Sequence, residues 1–69
     1  MKLQVNGEPM DVAEGTTAAQ LVEQHKLKPE LVVVELNRNI LKRDQLVSTV
    51  LQEADQVEIV HFVGGGSGR

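Results

Sequence analysis

An Asn-Gly dipeptide at positions 6 and 7, set between two short alternating runs, dictates how this chain begins. A two-residue type I′ turn needs positive φ at both central positions, and Asn-Gly meets that demand best. Leu3 and Val5 alternate with Lys2 and Gln4 ahead of the turn. With Asn6 and Gly7 as the loop, Leu3 falls opposite Met10 and Met1 opposite Val12. The apolar residues of both strands then share one face. Register and hydrophobic pattern agree on a β-hairpin.

Glu14-Gly15 closes the second strand, and Thr17-Ala18-Ala19-Gln20 has the form of a capping box. Ala18, Leu21, Val22 and His25 follow at helical spacing, with Gln20, Glu23 and Gln24 outside. Lys26 and Lys28 suit the negative end of the helix dipole, and Pro29 marks the stop. The β-branched stretch from Leu31 to Asn37 predicts a strand buried on part of both faces. Val32, Val34 and Leu36 form one face and Leu31, Val33 and Glu35 the other. Asn37-Arg38-Asn39 turns the chain into a short strand over 40–42. The segment 43–54 is an irregular link with room for a single helical turn, anchored by Leu46, Val50 and Leu51. A last strand spans Gln56 to Val63, with Val57 and Ile59 inward and Glu58, Val60 and Phe62 outward. One sheet with a single helix across one face accommodates this order, so the expected class is α+β.

The chain has 69 residues, no cysteine, tryptophan or tyrosine, and one phenylalanine. Its core must be small and aliphatic, without disulfides or a Cys-based zinc site. A net charge of −3 with scattered basic residues argues against nucleic-acid partners. No apolar run is long enough to cross a bilayer, so the expectation is a cytoplasmic protein with no membrane association. So small a body has little mass to surround a ligand pocket, which favours a role as partner or substrate of something larger.

Residues 64–69 read Gly-Gly-Gly-Ser-Gly-Arg. Four glycines in five residues hold no regular structure. Lacking Cβ atoms, they suit passage through a narrow channel; taken alone they equally describe a frayed terminus or an appended end. The division is therefore a body over 1–63 and a flexible glycine-rich tail over 64–69. Val60 and Phe62 form an exposed apolar pair beside that tail, suited to partner docking; core packing is the competing explanation for them.

This arrangement resembles the ubiquitin-like β-grasp fold, with a mixed sheet of about four to five strands and one main helix packed across one face. The closest resemblance is to the ThiS family of sulfur carriers. It rests on Val5-Asn6-Gly7-Glu8, Thr16-Thr17 at the helix start, Val34-Glu35-Leu36-Asn37, and above all the run from Asp55 through Val-Glu-Ile-Val-His-Phe-Val to Gly64-Gly65-Gly66. Two departures stand out. Ala54 occupies a place where such chains often carry glycine, and Ser67-Gly68-Arg69 extend past the family's terminal glycine.

The resemblance implies a carrier, not an enzyme, with no catalytic residue or metal of its own. A ThiF-like adenylyltransferase would use ATP and magnesium to activate the terminal carboxylate at Gly66, after trimming, with Gly64 and Gly65 threading into the partner. A persulfide donor would replace AMP with sulfur, and a ThiG-like thiazole synthase would take the thiocarboxylate for thiamine. The absence of cysteine agrees with this, since the chain cannot carry sulfur as its own persulfide. A molybdopterin-synthase small subunit, a ubiquitin-like protein modifier, and a plain interaction module with a passive tail remain as alternatives. His25 reads as a helix-face residue, His61 as a sheet-boundary residue, and Asp44 and Glu53 to Asp55 as solvated loop charges. Gly64 to Gly68 are no phosphate loop, lacking the Lys-Ser/Thr ending.

Overall fold

The computed structural model describes residues 1–62. Asn6 and Gly7 adopt φ of 51° and 82°, the type I′ combination, and join β1 (Lys2–Val5) to β2 (Glu8–Asp11). Leu3 pairs with Met10, as the hydrophobic pattern requires. The Val12 N–H donates to the Met1 carbonyl at 2.9 Å and the Met1 ammonium to the Val12 carbonyl at 2.7 Å. Leu3, Val5 and Val12 are buried together.

Thr17 caps α1 (Ala18–Gln24) reciprocally. The Gln20 N–H donates to Thr17 Oγ1 at 3.2 Å, and the Thr17 N–H donates to Gln20 Oε1 at 2.9 Å. Ala18, Ala19, Leu21 and Val22 face the sheet and are buried. His25 does not extend that face. It is the exposed C-cap, its Nδ1 lying 3.0 Å from the Leu21 carbonyl. The helix also stops earlier than Pro29 suggests. Lys26 turns left-handed at φ 60°, its N–H donates to the Glu23 carbonyl, and the Leu27 N–H donates to the Val22 carbonyl. This is a Schellman closure built on lysine instead of glycine. Lys26 and Lys28 therefore lie past the last turn, and Pro29 opens a 3-10 turn (Pro29–Leu31) that removes Leu31 from the following strand.

β3 (Val32–Leu36) and β4 (Asn39–Leu41) are joined by a second two-residue turn, with Asn37 at φ 50° and Arg38 at 72°. The link that follows contains one helical turn, α2 (Arg43–Leu46), whose Gln45 side chain accepts from the Lys42 N–H at 2.7 Å. Leu46 and Leu51 are buried in the core, but Val50 is 46% exposed. Val50 forms a bridge with Thr17 instead, while the Ala18 and Leu51 N–H groups bond the Thr49 and Thr16 carbonyls. Backbone pairing holds the link against the helix start, so its third apolar residue is not needed inside.

β5 (Gln56–His61) completes a five-stranded sheet in the order β2-β1-β5-β3-β4. It runs parallel to β1 and antiparallel to β3, occupying the centre. Val57 and Ile59 meet α1 across an aliphatic core that also holds Leu3, Leu21, Val22 and Val34. The α+β class and the mixed β-grasp sheet are as the sequence implies.

Candidate functional site

The central strand is gripped at both edges by the asparagines of the two tight turns. On the β1 side, the Asn6 N–H donates to the Val57 carbonyl at 2.9 Å, and Asn6 Oδ1 accepts from the Ile59 N–H at 2.7 Å. On the β3 side, the Asn37 N–H donates to the Gln56 carbonyl at 2.8 Å, and Asn37 Oδ1 accepts from the Gln56 N–H at 2.9 Å. Asn37 Nδ2 also donates to Asp55 Oδ1 at 3.0 Å, while Asp55 Oδ2 accepts from the Gln52 N–H at 2.7 Å. Asp55 is thus a structural tie at the start of β5, not a solvated loop charge. Glu53 likewise accepts from the Lys2 N–H at 3.0 Å.

So fixed, β5 presents Glu58 and Val60, and Phe62 just past its end, on the sheet face opposite α1. Val60 and Phe62 are each 52% exposed. Val60 pairs with Val33, and the Phe62 N–H donates to the Leu31 carbonyl at 2.9 Å. Leu31 is exposed and Val33 half-buried. The result is a four-residue apolar patch where the chain leaves the sheet. Sequence reasoning found the β5 half of it. Alternation puts Leu31 and Val33 on a common strand face, but neither segment specifies which strand lies beside β5. One pair inward, Glu35 stands directly across from Glu58.

Gly64, Gly65 and Gly66, the positions expected to thread and react, lie outside the described residues, as does Val63. His61 is exposed and paired with Val32; His25 is on the far side, at the helix end. Among the described residues no group of three or more His, Asp or Glu is placed to hold a metal ion, and no helix is long and apolar enough to cross a membrane. A shallow polar depression between Ala13 and Gln24 lies at the helix start, away from the β5 exit. A second shallow depression, lined by Gln4, Gly7, Gln56, Val57 and Glu58, lies beside the patch at the start of β5.

Residues 3–66 match the model of the ThiS family. The chain belongs to the ThiS family. This ThiS-family chain is 37% identical over 65 residues to the sulfur carrier protein ThiS of Bacillus subtilis, covering 93% of itself and 98% of that protein. It is 46% identical over 66 residues to a protein of Magnetococcus marinus named thiazole synthase. That match takes in 96% of this chain but only 20% of the relative, so the chain spans about a fifth of the length of that protein. Among solved structures, the crystal structure of the thiamine biosynthesis protein ThiS from Geobacter metallireducens superposes with a TM-score of 0.80 at 39% identity, covering 96% of this chain and all of that one.

Proposed function

We propose that this ThiS-family chain carries sulfur for thiamine thiazole synthesis as a thiocarboxylate on Gly66, after removal of Ser67-Gly68-Arg69. The observation that carries the reading is the continuity of a ThiS match running to residue 66 with a central strand that ends beside an exposed apolar patch. Activation is needed because a carboxylate is a poor electrophile. Its oxygen attacks the α-phosphorus of ATP, held with magnesium by an adenylating partner, and pyrophosphate leaves. A persulfide sulfur from a donor protein then displaces AMP at the acyl carbon, and a thiol cleaves the resulting S–S bond to leave the thiocarboxylate. Each of these groups belongs to a partner; this chain contributes the carboxylate and the surface that presents it.

Val60 and Phe62 seat the body on the partner while Gly64 and Gly65 reach inward. Partly exposed aromatic and aliphatic side chains beside a terminus are the anchor type that interfaces favour. A thiazole synthase is the recipient, and its support is the Magnetococcus relative of that name, part of whose single polypeptide resembles this chain.

The test is the intact mass of the protein isolated from its own cells. The expected population ends at Gly66, with a fraction heavier by one oxygen-to-sulfur exchange. A population ending only at Arg69, and inert toward ATP and the adenylating enzyme, would overturn the reading.

A further inference from the structure

Glu35 and Glu58 are cross-strand partners on β3 and β5, in the interior of the sheet rather than at its edges. Like charges placed directly opposite destabilise a sheet. The neighbours on the same face are Ile40 opposite Glu35, with Arg38 and Lys42 two residues to either side of it, Val33 and Val60 along the strands, and Gln56. On the β1 side, the register that pairs Gln4 with Gln56 and Val5 with Val57 sets Asn6 beside Glu58, with the Asn6 side chain turned to the Ile59 N–H. Neither carboxylate takes part in the side-chain hydrogen bonds that fasten this end of β5, which involve Asn6, Asn37 and Asp55. A local rule broken in the middle of a small sheet points to use by something outside the chain.

We propose that Glu35 and Glu58 form the anionic half of the docking face, receiving one arginine from the adenylating partner while apolar surface of that partner covers Val60 and Phe62. The inference rests on the carrier reading. Charge complementarity selects the occupant: two adjacent acceptors beside an apolar patch fit a guanidinium, whose planar fork bonds carboxylates in pairs and whose faces pack on apolar groups. Discrimination falls to the body because a run of glycines offers the partner little to distinguish one tail from another. Charges placed at an interface contribute specificity and encounter rate.

The experiment uses the chain ending at Gly66 with its adenylating enzyme, following ATP–pyrophosphate exchange. Glu35→Gln with Glu58→Gln keeps shape and removes both charges. KM for the carrier is expected to rise roughly tenfold with kcat little changed, and the wild type's salt dependence to flatten. The urea midpoint of the double variant should equal or exceed that of the wild type, because a repulsion is lost. Glu14→Gln with Glu23→Gln, on the helix side, removes the same charge and should leave KM where it was. Equal KM shifts in both pairs would replace docking by long-range steering, and no shift in the sheet pair would overturn the proposal while leaving the carrier reading intact. A wild-type chain that is never adenylated would sink both.

Discussion

Ala54 sits at φ 72°, in the left-handed region, with its N–H donating to the Lys2 carbonyl at 2.8 Å. The turn before β5 therefore does demand the conformation that glycine adopts freely, and alanine holds it only under strain. The hydrogen bond to Lys2, together with the Asp55 tie beyond it, outweighs a cost of about 1–2 kcal/mol for a Cβ in this region. Ala54→Gly should raise stability by about 1 kcal/mol, read as a higher urea midpoint at unchanged slope. A lower midpoint would show that the extra freedom of glycine in the unfolded chain outweighs the relieved strain. Lys26 is the parallel case at the end of α1. There a long polar side chain occupies the place of the usual glycine, and its left-handed turn ends the helix where no sequence signal marks it.

At the scale of elements, α1 shows how much a short helix depends on its first turn. Seven residues are too few to be stable alone, so the Thr17–Gln20 box and four buried side chains carry it. Thr17→Ala should cost about 1 kcal/mol, measured as a lower thermal midpoint by circular dichroism. Because the Thr17 backbone also bridges to Val50, loss of amide-exchange protection should spread from the helix start into the link. The devices that were legible in the sequence, both tight turns and this cap, are the ones whose chemistry is complete within a few residues. Val50 is not an inward anchor because its exposure depends on its bridge to Thr17 and on the bonds its neighbours Thr49 and Leu51 make with Ala18 and Thr16, far away along the chain. The exposed apolar face proposed for docking divides in the same way. The outward set of β5 follows from alternation alone, while Leu31, Val33 and the Glu35–Glu58 opposition exist only once β3 is laid beside β5.

The whole molecule has a narrow margin. A core of this size supplies about 3–5 kcal/mol, and emptying one fully buried leucine removes about 2–5 kcal/mol. Leu21, wholly enclosed between helix and sheet, is the sharpest place to test this. Leu21→Ala should leave the domain largely unfolded at room temperature, seen as collapsed amide dispersion in NMR spectra. Cooperative melting near the wild-type midpoint would mean that the surrounding valines close the gap. With Phe62 the sole aromatic residue, fluorescence of the core offers no substitute for that measurement. The placement of β5 also has a mechanical meaning. Its hydrogen bonds run to β1 on one side and β3 on the other, with an asparagine clamp at each edge. A pull along the strand loads these bonds together in shear instead of peeling them one at a time. A machine that draws the terminus into a channel can tug on the body without unravelling it.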